Sequence, residues 1–344
     1  MHNDVIQNIL VANTITQYFP ISFHNKRKKR YFAKTFNSMA EMDYKAEIAR
    51  LKQEKHAVVL AHYYQNDDIQ DIADYLGDSL KLSQTALQTD AEIIVFCGVH
   101  FMAETAKILS PHKKVLLPVM NAGCRMADTI TKADLQAYKA EHPDTKIITY
   151  VNTTAEIKAL SDCICTSTNG LKIINYYLEQ GEKILYTPDQ NLGKYAMRLL
   201  GKEFEVWNGC CPIHHFAQAS KVLKQKELHP NALVISHPEC QLDILELSDF
   251  VGSTAELLSF VGKSDATEFI VCTEKGVLHP MKKQNPDKQF YLGCPSFVCH
   301  DMKLTSLEDV YNCLSNETNE IFVDESVRKN AVKALDKMLE ITKL

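Results

Sequence analysis

No stretch of this sequence runs to eighteen apolar residues, so no membrane-spanning helix is expected. Positive charge is not in excess. Lys and Arg number 38 against 43 Asp and Glu, a formal net charge of −5. The clustered positive surface that nucleic-acid binding needs is therefore not indicated. A secreted disulfide framework is not indicated either. The 11 cysteines are an odd number spread along 344 residues. Reduced thiols, or ligands to a metal or cluster, fit that usage better.

The first 38 residues hold a single acid, Asp4, beside the basic run KRKKR at 26–30 and Lys34. They have no small-residue cleavage site after an apolar core, so they are not read as a secretory signal. Residues 1–40 are read as a basic, disordered extension, with folded sequence opening after Met39.

What the sequence does have is a threefold internal repeat. IADYLGDS at 72–79, LSDCICTS at 160–167 and LSDFVGST at 247–254 share one pattern. Asp74, Asp162 and Asp249 align in it. Upstream of each lies an apolar run ending in polar residues: VVLAHYYQ, IITYVNTT and LVISHPEC. Tyr63, Tyr150 and His237 recur at one spacing, as do Gln65, Asn152 and Glu239. A charged helical stretch precedes each run and ends near His56, His142 or His229. A period this long means repeated domains rather than a solenoid. Val/Ile/Leu runs alternating with helical stretches read as parallel strands covered on both faces. The fold expected is α/β: three pseudo-threefold-related domains over 41–141, 142–229 and 230–305, each a short parallel sheet flanked by helices around a central site. Helices over 306–344 are expected to pack back on the first domain.

In parallel α/β sheets, ligands gather at the carboxyl ends of strands. Those ends are polar in every repeat: His62 and Tyr64; Ser79; Tyr150 and Asn152; Ser167; His237 and Glu239; Ser253 and Thr254. Hydroxyls, amides and imidazoles suit carboxylate or phosphate oxygens. His237 and Glu239, two apart on one strand face, suit proton transfer.

The cysteines divide into two groups. Cys163 and Cys165 align with Tyr75, Phe250 and with Gly77, Gly252, and read as strand filling. Cys97, Cys272 and Cys313 sit in apolar strand or helix patterns. Cys124, Cys211 and Cys299 instead obey the repeat, each in a loop that ends its unit. Three symmetry-related thiolates would hold zinc with an open fourth position, or a 4Fe-4S cluster with one iron lacking a protein ligand. Cys294 is the rival to Cys299. The rival functions at this point are a zinc-thiolate hydrolase or lyase, and a binding protein for anionic metabolites.

AHYYQ at 61–65, GDSLKLS at 77–83, VFCGVHFMAETAKIL at 95–109, YVNTTAEIKALSD at 150–162, WNGCCPIH at 207–214, ISHPEC at 235–240, GST at 252–254 and CHDMKLTSLE at 299–308 together resemble the quinolinate synthase family. The resemblance runs in order from about 42 to 340. It implies three pseudo-symmetric α/β domains and a 4Fe-4S cluster held by one cysteine from each, with an open iron acting as Lewis acid. It implies condensation of iminoaspartate with dihydroxyacetone phosphate to quinolinate, with loss of phosphate and water, for NAD biosynthesis. By motif, Cys124, Cys211 and Cys299 become the cluster ligands, since Cys299 shortly precedes Met302 and Lys303. His62, Tyr64, His237 and Glu239 take the proton-transfer roles. Together with His62, His237 and Glu239, the residues Ser79, Tyr150, Asn152, Ser167, Ser253 and Thr254 line the substrate site. The sequence departs from the family at FVCHD and in the extension before Met39. Functional coupling to L-aspartate oxidase and to iron-sulfur assembly machinery is implied. A solvent-reachable cluster implies a reducing compartment, the cytoplasm.

Overall fold

The computed structural model describes residues 42–343; the extension expected over 1–40 lies outside them. Among the described residues twelve strands make three four-stranded sheets, and the strands within each sheet pair in parallel. The first holds β1 (Ala57–His62), β2 (Tyr75–Gly77), β3 (Ile93–Cys97) and β4 (Lys114–Leu116) in the order β2-β1-β3-β4. The second holds β5 (Thr145–Tyr150), β6 (Cys163–Cys165), β7 (Lys183–Thr187) and β8 (Glu205–Val206). The third holds β9 (Leu233–Ser236), β10 (Phe250–Val251), β11 (Glu268–Cys272) and β12 (Gln289–Leu292). Their orders, β6-β5-β7-β8 and β10-β9-β11-β12, repeat the first. Register repeats as well: Leu60 faces Tyr75, Ile148 faces Cys163 and Ile235 faces Phe250. Among the described residues no helix is long and apolar enough to cross a membrane.

The continuous apolar runs are explained by burial on both faces. In the first sheet Leu60, Ile94 and Phe96 join one core cluster, while Val59, Ala61 and Val95 join another. Alternate residues point to opposite faces. Both faces are therefore dry, and no polar alternation develops.

The aligned aspartates have a shared structural task. Each comes just before the short edge strand β2, β6 or β10. The Asp74 carboxylate accepts the N–H of Val59 at 2.8 Å, and the Asp74 N–H donates to the Val59 carbonyl at 2.9 Å. Asp162 does the same with Ile147, and Asp249 with Val234. The carboxylate takes a strand N–H beyond the end of the edge ladder, where it would otherwise go unpaired. Asp162→Ala is expected to lower stability by about 1.5–3 kcal/mol, the worth of a charge-assisted hydrogen bond. A shift of the urea midpoint at unchanged slope is the measurement.

The structure adds two things to the sequence reading. The outer strands β8 and β12 bring the second and third sheets to four strands each. The C-terminal helices divide between units. In Leu307–Asn316, Val310, Cys313 and Leu314 pack with Ile48 and Val95 of the first unit. In the longer helix Glu325–Lys343, Ala331, Ala334, Leu335, Met338 and Ile341 lie mainly with Ile164, Ile173 and Tyr177 of the second, and also meet Ile108 and Leu109 of the first. The sequence reading put both on the first. The helical stripe on Glu325–Lys343 covers a sheet face that would otherwise stay wet.

Candidate active site

The carboxyl ends of all three sheets open into one cavity, where ligands gather in parallel α/β folds. Its wall includes His62 at the end of β1 with Tyr64 just past it, Tyr150 at the end of β5 with Asn152 just past it, and His237 and Glu239 in the turn that follows β9. Ser79, Ser167 and Thr254, which follow β2, β6 and β10, face the same space, as do the thiols of Cys124, Cys211 and Cys299. Val99, Phe101, Met102 and Met302 are among the apolar residues of the wall.

One expected residue stands apart. Ser253 is fully buried and caps the helix Thr254–Lys263, its hydroxyl accepting the Glu256 N–H while Glu256 bonds back to its backbone. Ser253 is not part of the cavity wall, and its neighbour Thr254 is. Cys163 and Cys165 fill β6 and are fully buried away from the cavity. Cys294 packs with Phe297 and Val222 and touches Ser296, so of the two rivals only Cys299 faces the cavity.

The thiols suit a soft metal centre. The amides of Met126 and Ala127 point at the Cys124 sulfur, and those of Asp301 and Met302 at the Cys299 sulfur. Without a metal these thiols stay protonated. Burial pushes Cys124 up to about 12 and Cys299 to about 11, and raises Cys211 well above the ordinary thiol value. Three thiols from three units, with N–H donors already aimed at two of the sulfurs, fit an iron-sulfur cluster or zinc.

The backbones carrying two of these cysteines are held by buried acids at equivalent places. Asp189, two residues past β7, accepts the Cys211 N–H at 3.0 Å and caps the next helix through the Leu192 N–H. Glu274, two residues past β11, accepts the Cys299 N–H at 3.2 Å and the Gly276 N–H at 2.6 Å. Lys303 bridges Glu274 and the Tyr64 carbonyl. The matching residue past β3 is Val99, so the first unit holds Cys124 by other means. Two glycines permit the close packing. A Cβ on Gly209 would lie 2.6 Å from the Pro188 carbonyl, and one on Gly276 would lie 2.7 Å from the Tyr63 carbonyl.

His62 and His237 are neutral donors. Each accepts a backbone N–H at Nδ1, from Tyr64 at 3.1 Å and from Glu239 at 3.3 Å. The proton of each ring therefore sits on Nε2. Burial, with neighbouring positive charge, holds His62 down to about 3, and burial holds His237 down to about 4. Between pH 6.5 and 4 the unfolded chain binds a proton at each ring that the folded chain does not. Stability therefore falls with acid across that window, by about 1.4 kcal/mol per pH unit for each ring. His62→Gln is expected to flatten the curve of urea midpoint against pH by one such increment; an unchanged slope would contradict the neutral assignment.

Glu239 behaves differently. Burial alone would raise its carboxyl. The His237 and His214 rings and the Tyr150 hydroxyl, which donates to Oε1 at 2.8 Å, hold it well below the usual carboxylate range. Asp189, buried within reach of that charge, is pushed up. Asn152 adds an unpaired group: its Oδ1 is buried without a partner, a cost that a donor from a ligand would remove.

Two site groups escaped the sequence reading. His214 places Nδ1 2.9 Å from Glu239 Oε2 and 3.2 Å from the Cys211 sulfur, and Nε2 2.9 Å from Thr273 Oγ1. The signal for it was present: Cys211-Pro-Ile-His214 puts both residues on one helical turn. Thr273 gave none, because the equivalent positions hold Gly98 and Pro188.

The family model described as Quinolinate synthetase A protein matches residues 46–340. The quinolinate synthase of Alkaliphilus metalliredigens is 50% identical over 296 residues, covering 86% of this chain and 97% of that protein. That of Chloroherpeton thalassium is 46% identical over 312 residues, 89% of this chain and 97% of that protein. That of Trichodesmium erythraeum is 46% identical over 312 residues, 89% and 96%. With three repeated parallel sheets and one cavity at their carboxyl ends, this chain belongs to the quinolinate synthase family.

Proposed function

We propose that this chain condenses iminoaspartate with dihydroxyacetone phosphate, giving quinolinate, inorganic phosphate and water for NAD biosynthesis. What supports the reading most is that one thiol from each unit and the His237–Glu239 pair open into a single cavity, in a chain of this family. Iminoaspartate would come from oxidation of L-aspartate.

Cys124, Cys211 and Cys299 would hold a 4Fe-4S cluster. When bound, such a cluster supplies one iron without a protein ligand, a Lewis acid for a substrate oxygen. The remaining work falls to side chains. Ser79, Ser167, Thr254 and the Asn152 amide bind carboxylate and phosphate oxygens. Phosphate departs with its C–O electron pair as the enamine carbon of iminoaspartate forms the carbon–carbon bond. Tyr64 and His62 move protons for the ketose–aldose shift. Ring closure joins nitrogen to the resulting aldehyde carbon, whose oxygen leaves as a first water. Glu239, held ionised, is the base for the final dehydration, and His237 the donor through Nε2. The apolar wall of Val99, Phe101 and Met102 limits competing water.

The test is direct. Chain purified without oxygen, given dihydroxyacetone phosphate and iminoaspartate formed in place from oxaloacetate and ammonia, is expected to accumulate quinolinate by chromatography. A cluster-loaded chain that makes none overturns the reading.

A further inference from the structure

We infer that Cys211, His214 and Glu239 form a second metal site, for a single divalent ion of the zinc type, which the chain fills only while the cluster is absent. The ion site rests on geometry alone. Its exclusion of the cluster rests on Cys211 being the cluster ligand proposed above.

The three donors converge from two units. Cys211 immediately precedes the short helix Pro212–His215, and His214 lies three residues on. His214 Nδ1 stands 3.2 Å from the Cys211 sulfur and 2.9 Å from Glu239 Oε2. The ligand atoms of all three lie within 4.8 Å of one another. Around a tetrahedral zinc-type ion, with bonds of about 2.0–2.3 Å, such donors stand roughly 3.3–3.6 Å apart. Side-chain movements of about 0.4 Å make that space. Among the described residues this is the one group of three such side chains close enough to share an ion, and Cys124 and Cys299 stand outside it.

The outer partners that metal-bound donors need are also in place. Tyr150 donates to Glu239 Oε1 at 2.8 Å, which leaves Oε2 for the ion. Thr273 Oγ1 lies 2.9 Å from His214 Nε2, where a ring bound through Nδ1 carries its hydrogen. Asp189 holds the Cys211 N–H at 3.0 Å. One thiolate, one imidazole and one carboxylate suit a borderline ion such as Zn²⁺ or Co²⁺. All three residues line the cavity, so the ion's remaining position faces it and takes water. Binding releases the Cys211 thiol proton and ties the second unit to the third. A Cys211 sulfur on that ion is not free for the cluster, so ion and cluster compete for the chain.

The test titrates Co²⁺ alone into cluster-free full chain. Wild type is expected to take one ion, with the visible bands of tetrahedral cobalt and the near-ultraviolet band of a single thiolate. Cys124→Ser and Cys299→Ser are expected to bind it as wild type does. His214→Gln and Glu239→Gln are expected to weaken binding by at least ~100-fold, and Tyr150→Phe by ~10-fold, the scale of a lost outer partner. Cobalt-loaded chain given iron and sulfide without oxygen is expected to take up little iron until a chelator removes the cobalt. Wild-type affinity in both His214→Gln and Glu239→Gln overturns the inference. So does a spectrum without a thiolate band, or loss of cobalt from Cys124→Ser or Cys299→Ser, which would put the ion on the three thiols. Full iron uptake with cobalt retained overturns the exclusion. Wild-type chain that makes no quinolinate, yet binds cobalt in this pattern, defeats the proposed reaction and leaves the ion site standing.

Discussion

Replacing Cys124, Cys211 or Cys299 singly with serine is expected to strip the chain of iron and to lower quinolinate formation by at least ~10³-fold, since a Lewis-acid centre contributes several kcal/mol to such steps. Wild-type chain prepared without oxygen is expected to carry about four irons and as many sulfides. The physical reason is the source of each ligand. The three thiols come from three separate sheets and face one cavity, so no neighbouring cysteine stands ready as a substitute. Cys210 is adjacent to Cys211 but is absent from the cavity wall, and Cys294 is buried against Phe297. A serine oxygen is a poor match for a soft iron site. Cys163→Ser, Cys165→Ser and Cys294→Ser are expected to keep the iron. A cluster that survives Cys299→Ser and disappears in Cys294→Ser would move the third ligand. Zinc in place of iron would change the cofactor and leave the ligand set in place.

Much of this was legible because the sequence repeats itself. Once Asp74, Asp162 and Asp249 are aligned, the edge strands follow, and the loops carrying the three cysteines fall at equivalent places. The reciprocal hydrogen bonds of those aspartates explain why the position keeps its residue type: only a short acceptor at that point closes the ladder. What the sequence hid is equally physical. β8 has two residues, too few to show an apolar period. The helix Glu325–Lys343 carries a clear apolar stripe, but a stripe does not say which sheet it covers. Ser253 and Thr254 look alike in sequence, and only the cap geometry assigns one hydroxyl to the helix and leaves the other for the cavity. Thr273 was concealed by the repeat logic itself, because that logic finds positions that are polar three times. Asp189 and Glu274 keep their role in two units and yield to Val99 in the first, so symmetry is strong where the fold needs it and broken where each unit meets the site.

Glu239→Gln is expected to leave the iron in place and to reduce kcat by ~10²–10⁴-fold, the range of a lost general base. The substitution keeps the size of the side chain and removes its charge. Glu239 accepts from two donors, Tyr150 at Oε1 and His214 at Oε2. A glutamine has one acceptor oxygen and an amide that donates. One of the two donors must then turn or lose its partner, and a buried donor left unpaired costs about 1–3 kcal/mol. The variant is thus expected to lose some stability as well as turnover, and the two losses are separable. Tyr150→Phe removes one donor and none of the charge, so it should keep much of the kcat that Glu239→Gln loses. Because the carboxyl is held well below neutrality by its neighbours, wild-type kcat should be flat with pH through the neutral range on account of this group. Loss of iron in Glu239→Gln would assign the residue to holding the metal centre, since its carboxylate, His214 and the Cys211 sulfur lie close enough to share an ion. Full turnover with full iron would remove Glu239 from the chemistry and leave His237 and Tyr64 as the groups that move the protons.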